Sequence, residues 1–134
     1  MRLSMLTKAA LLGSTMMALS LAAVPAVAQM APAKPMATPS GPVLTDDKGM
    51  TLYTFDMDSG DKSACTGGCP KNWPPLGAAA DAKPSGDWSV ITRDDGSKQW
   101  AYHGKPLYAF VKDTKPGDMT GDGMLGGKWH TAKP

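Results

Sequence analysis

The chain has no glutamate. All 12 acidic residues among its 134 are Asp, and it holds only two His and two Cys. Without Glu a favoured helix former is missing, and Gly and Pro together supply 25 of residues 29–134, so long helices are not expected. An excess of one charge is lacking too. With Arg2 and Lys8 near the N-terminus set aside, 12 basic residues stand against 12 acidic ones. Such a balance does not suit a chain that grips nucleic acid or anionic lipid through clustered Lys and Arg. Catalytic signatures are missing as well: no G-x-S-x-G, no H-E-x-x-H, no P-loop and no G-x-G-x-x-G following a strand. The absence of C-x-x-C-H and C-x-x-C excludes covalent c-type haem and a thioredoxin-type site at motif level. A glycosidase-like carboxylate pair would have to be two Asp.

The N-terminal segment reads as an export signal. Arg2 and Lys8 precede an uncharged apolar run over 9–23, and Ala26-Val27-Ala28 supplies the small-residue pattern of a cleavage site. The run is short for a membrane span of about 20 residues, so residues 1–28 are expected to be removed. No Cys stands at the cut, which predicts a soluble exported protein without a stable membrane anchor, periplasmic or secreted. Residues 29–41 are rich in Pro and Ala, hold no aromatic residue and read as an extended linker.

Every Trp, Tyr and Phe lies from Tyr53 to Trp129, so the core is expected within a domain over 42–132. An internal repeat organises it. Gly49, Leu52, Tyr53, Phe55 and Asp58 recur as Gly104, Leu107, Tyr108, Phe110 and Asp113, all at an offset of 55 residues. Trp73 and Trp129 follow the repeat aspartates by 15 and 16 residues. A unit this short could hardly bury its apolar face alone, so the two copies, about 42–76 and 88–131, should pack on each other. Within each unit the period is two: Tyr53 and Phe55 share one face, Leu52 and Thr54 the other. Strands are expected near 42–45, 50–56, 88–93, 98–103, 106–111 and 127–131, separated by turns at 46–49, 94–97 and 103–104. The stretch 57–87 reads as loop, with one short helical turn near 78–82. The expected fold class is all-β: a small antiparallel domain of two related β units with a long disulfide-pinned loop.

The pattern G-x-x-L-Y-x-F-x-x-D occurs twice, with C-T-G-G-C-P-K-N-W-P-P-L between the copies and Q-W-x-Y-x-G-x-P-L-Y ahead of the second. Together these resemble the secreted repeat family marked by a Tyr-x4-Asp motif, whose members are uncharacterised bacterial lipoproteins. The motif falls on Tyr53/Asp58 and Tyr108/Asp113, and the resemblance spans about 42–131. It implies a domain and supplies no reaction.

Physically, each motif tyrosine starts an inward-facing pair, and its hydroxyl needs a partner if buried. Each aspartate follows a strand, where Asp commonly caps its own turn. Binding of a ligand by the pair, or a calcium loop through Asp56, Asp58 and Asp61, is the alternative; the latter lacks the bidentate Glu of an EF-hand. Cys65 and Cys69 flank Thr66-Gly67-Gly68. In an oxidising compartment they read first as a disulfide that pins the 57–87 loop and presents Trp73-Pro74-Pro75. At the offset of 55 the second copy has Thr120 and Met124 there, so the pair belongs to one copy only. A redox-active or metal-binding dithiol is the competing reading. Soft Cu(I) ligands would be Cys65, Cys69, Met57, Met119 and Met124, whereas Zn²⁺ would need His103 and His130, which form no H-x3–5-H pair.

The residues therefore point to an exported, non-enzymatic binding or cell-envelope interaction module with no cofactor. Its partner would be an unknown envelope protein or small ligand, and not nucleic acid. The alternative is a periplasmic redox or copper-handling protein using Cys65/Cys69.

Overall fold

Turn residues arrive every few positions in this chain, and the strands they separate are correspondingly short. In the computed structural model, which describes residues 31–134 and Gly13, eight strands of two to five residues are joined by turns, of which one is a single helical turn and another a tight turn with left-handed backbone. The expected signal segment lies outside the described residues. Among those residues, no helix is long and apolar enough to cross a membrane.

Strand β1 (Lys34–Met36) pairs antiparallel with β2 (Val43–Thr45), Pro35 facing Leu44. The segment read as a linker thus contains a paired strand, and Ala33 beside it is buried with Leu44. β3 (Tyr53–Phe55) is followed by the helical turn α1 (Cys69–Asn72), whose Pro70 lies where a missing N–H costs nothing. β4 (Gly77–Ala78), β5 (Trp88–Thr92), β6 (Lys98–Tyr102) and β7 (Lys105–Pro106) form one sheet in which β6 pairs with all three others. The turn α2 (Met124–Gly127) leads into β8 (Trp129–Thr131), which returns to β3 with Tyr53 opposite Thr131 and Phe55 opposite Trp129.

The expected all-β class of two related units holds, with antiparallel pairing throughout. Two details differ. The helical turn expected at 78–82 is instead the end of β4 and a tight turn closed by the Ala82 amide on the Ala79 carbonyl. The strand expected over 106–111 is extended but forms no long ladder, because it changes partner at nearly every residue. Leu107 donates to the Trp100 carbonyl, Tyr108 to Tyr53, Ala109 to Pro74 and Val111 to Asn72. That segment stitches three others together.

The period of two sorts the core into two clusters. Tyr53, Tyr108 and Phe110 join Trp73, Trp129 and Cys65 in an aromatic cluster, with Phe55 packed against it. Leu52 and Leu107, one residue earlier in each copy, point the other way into a cluster with Leu44, Ala33 and Ala132. Three backbone bonds close the second cluster: Leu52 to Leu44, Leu44 to Ala132 and Ala132 to Leu52, each at 2.8–2.9 Å. The Asp46 carboxylate accepts the amides of Lys48 and Met50, and Gly49 takes φ +80° to complete that turn.

Candidate functional site

The repeat tyrosines are buried end to end, so their hydroxyls must find partners inside the fold. Each finds the aspartate of the other copy. Tyr53 donates to Asp113 Oδ2 at 2.6 Å, and Tyr108 donates to Asp58 Oδ2 at 2.7 Å. Each aspartate keeps its second oxygen for its own loop: Asp58 Oδ1 accepts the Ala64 amide, and Asp113 Oδ1 accepts the Thr120 amide and hydroxyl. The sequence leads one to expect each Asp to cap its own turn and each Tyr to anchor the core; the structure adds the exchange between copies. Its signal was present: a duplicated motif with a buried hydroxyl and a carboxylate needs a partner for each, and a packed pair of copies offers both.

Burial, together with the bond to the facing carboxylate, pushes both tyrosine hydroxyls far above their ordinary range. Burial also raises the Asp58 carboxyl, although its hydrogen bonds and the Arg93 charge oppose the shift. A tyrosine held this firmly protonated is a poor general base and serves here as a donor.

Around Tyr108 the network extends further. Its one proton goes to Asp58, so Ser63 donates to the Tyr108 oxygen. Ser63 Oγ in turn accepts from Arg93 and from the Cys65 amide. Arg93 is 7% exposed and also donates to Gln99 Oε1 at 2.7 Å and to the Cys65 carbonyl. Gln99 then donates to the Leu107 carbonyl. A buried guanidinium costs several kcal/mol unless its donors are met, and here three acceptors meet it.

Cys65 and Cys69 form a disulfide with Cα atoms 5.2 Å apart. Joined in this way they offer no thiolate pair to a metal. Met57 and Met124 stand exposed on the surface and Met119 is half-buried. Among the described residues no group of three His, Cys or Asp side chains is placed to hold a metal ion. Two of the three carboxylates of the expected calcium loop are engaged elsewhere, Asp56 by His130 and Asp58 by Tyr108.

Trp73 corrects the expectation of a presented Trp-Pro-Pro surface. It is 5% exposed and lies at the centre of the aromatic cluster, stacked on Trp129 with ring centroids 3.7 Å apart and planes 2° from parallel. Phe110 stacks on it at 4.1 Å, and Tyr53 meets it edge-on at 5.3 Å. The two copies contribute one Trp each to that stack. Pro75, next in the same segment, bridges to Tyr108.

With the motif residues largely committed to the interior, both histidines come to line one face. A groove of about 380 Å³ runs between the β3–β8 pair and the β6–β7 turn, lined by Asp56, His103, Lys105, Asp122, His130 and Lys133. A second hollow of about 330 Å³ shares Thr54, Asp56, His103 and Lys105 with it and continues toward Asp58 and Gly60. Both histidines, which had no evident partner in the sequence, meet an aspartate: His130 Nε2 lies 2.8 Å from Asp56 and His103 Nε2 lies 3.3 Å from Asp87. The strand register puts Thr54 opposite His130, and only the folded hairpin brings His103 beside them.

None of the curated proteins or solved structures compared with the chain matches it. A family profile does match, in two blocks, over residues 34–77 and 89–133, and the second block starts within β5 much as the first starts at β1. Those blocks are the two copies whose tyrosines and aspartates exchange hydrogen bonds, and they cover well over half of the chain: it belongs to Lipoprotein_15, the secreted repeat of unknown function.

Proposed function

We propose that this secreted repeat protein is a non-enzymatic binding or cell-envelope interaction module working in the periplasm or outside the cell. The observation that carries the reading is the division of polar chemistry within the domain. The Tyr–Asp pairs and Arg93 are consumed by burial and hydrogen bonding, whereas the histidines and lysines of the groove remain open to solvent. Such a frame is held inside by satisfied polar groups and leaves its surface chemistry open, which suits recognition. The Tyr-x4-Asp motif then serves as the fastening of the repeat, and we take it to be the signature the family shares. Closure of Cys65 with Cys69 supports the binding reading over the copper-handling one, since the best soft ligands are spent on each other.

The test is co-sedimentation of the purified exported protein with cell-wall sacculi and, separately, with vesicles of neutral and anionic phospholipid. Saturable binding to one of them, weakened by substitutions in the groove, supports the module. Absence of binding to all three, or multiple-turnover release of product from sacculi, overturns it.

A further inference from the structure

The groove's ledger of charge identifies what it would take. Asp56 is held by His130 at 2.8 Å, and Asp87 lies 3.3 Å from His103. Asp122 accepts the Thr131 amide through Oδ1. The ion pairs among the described residues involve only these two histidines, so no described carboxylate lies within 4.0 Å of the Lys105 or Lys133 ammonium groups. The carboxylates of this face are thus largely engaged while its ammonium groups are not. A ligand supplying acceptors fits that balance, and a cation does not.

The turn that carries His103 adds an independent reason. His103 takes φ +51° and Gly104 φ +77°, the conformation in which two-residue hairpins favour Asn or Gly at the first position. A histidine there is strained, and strain of this kind gathers where function requires a particular side chain. The imidazole stacks on Tyr102 with centroids 4.0 Å apart, which fixes it at the groove's edge beside Lys105. From the opposite wall, β8 contributes His130 and the chain just beyond it contributes Lys133. Donors from two separate segments, one on each side, converge on one volume.

We propose that this groove binds the oxyanion of a small ligand, a phosphate or a carboxylate, through Lys105, Lys133 and His103, with His130 oriented by Asp56. The proposal rests on the binding-module reading and gives it a ligand chemistry. Ammonium donors make charge-assisted hydrogen bonds to such groups, stronger than neutral ones, and an imidazole N–H adds a further donor.

The experiment is an NMR titration of the ¹⁵N-labelled exported protein with inorganic phosphate and, in a second arm, with citrate, at constant ionic strength set by sodium chloride. The expected result is saturable shifts confined to residues 102–105 and 130–133. Saturation by phosphate alone assigns a phosphate ligand, and saturation by citrate alone assigns a carboxylate. The double variant Lys105→Gln/Lys133→Gln, altered only at side chains without ion pairs, should bind about tenfold more weakly. His103→Asn keeps a residue suited to the turn and removes the imidazole, so it should fold at least as well and bind about threefold more weakly. Absence of saturable shifts, shifts elsewhere on the domain, or equal affinity in both variants overturns the site. If the protein still sediments with sacculi while phosphate and citrate leave the groove silent, the site falls and the binding-module reading stands. If neither occurs, both fall.

Discussion

The two copies solve one packing problem with different materials. In the second copy Asp113 is 7% exposed, Tyr53 donates to it, and the Gly121 amide donates back to the Tyr53 oxygen. In the first copy the equivalent path from Tyr108 to the Cys65 amide passes through the Ser63 hydroxyl and takes in Arg93. Asp58 caps an amide six residues on, at Ala64, and Asp113 caps one seven residues on, at Thr120. That single extra residue accounts for the unequal spacing to Trp73 and Trp129. It also moves the equivalence: Cys65 corresponds to Gly121 and Cys69 to Leu125, not to Thr120 and Met124 as the fixed offset implied. Both copies turn sharply before their Trp, by the helical turn α1 in the first and in the second by a turn whose Gly123, Leu125, Gly126 and Gly127 all take positive φ. The first copy secures that segment with a disulfide. The second secures it with a glycine: a Cβ on Gly121 would lie 2.6 Å from the Trp73 ring and 3.0 Å from Phe110. A duplicated unit therefore conserves the geometry of its contacts more closely than the chemistry that makes them.

Breaking the shared stack should have the largest effect. Phe110→Ala removes the ring stacked on Trp73 and should cost about 3–5 kcal/mol, a large part of the 5–15 kcal/mol typical of a domain. Urea unfolding measured by Trp fluorescence checks this, and a loss below about 1 kcal/mol would show that Phe110 is no part of the core. Gly121→Ala tests the second copy's close approach: overpacking against a rigid indole should cost about 1–3 kcal/mol. Its partner in the comparison, Cys65, has no such restriction from a missing Cβ.

The exchanged hydrogen bonds make a finer comparison. Tyr53→Phe leaves the Asp113 carboxylate and the Gly121 amide without their partner and should cost about 1–3 kcal/mol. Tyr108→Phe should cost less, because the Tyr108–Asp58 bond is only part-buried and the Ala64 amide still bonds Asp58. Equal losses in paired thermal melts would mean that the copies are energetically interchangeable. The same tyrosines set an alkaline limit. Both are held above the ordinary value of 10.0, so the folded state keeps two protons that the unfolded chain releases. Their stabilising contribution is complete below pH 10 and falls as pH rises beyond it, by about 1.4 kcal/mol per tyrosine per pH unit. Tyrosinate absorbance from these two residues should appear together with loss of near-ultraviolet circular dichroism. Gradual ionisation in a folded domain would contradict the exchange.

The smallest global effect should come from reduction of Cys65–Cys69. A loop of about five residues gives only about 2 kcal/mol in the chain-entropy description. The domain should stay folded while amide exchange rises over 57–72 and strands β5 and β6 stay protected. Global unfolding on reduction would show that the first copy has no independent hold on its segment.

Composition, period and repetition determined a good deal here. Gly and Pro without Glu excluded long helices, and alternation over 52–55 and 107–110 separated the aromatic faces from the leucine faces. Recurrence of Tyr and Asp at one offset announced two units in mutual contact, and the spacing of Cys65 and Cys69 in an exported chain announced their bond. These are properties of local pattern, which is read along the chain without knowing what touches what. Which aspartate each tyrosine meets was decided by tertiary packing alone, because partners 50 and 60 residues apart are matched only when the copies close on each other. The same holds for Trp73, whose place beside two prolines resembles a surface loop until Trp129 arrives from the other copy to stack on it. The groove belongs to that second class as well: His103 and His130 lie 27 positions apart, and only the β3–β8 pairing and the β6–β7 turn bring them to one cavity.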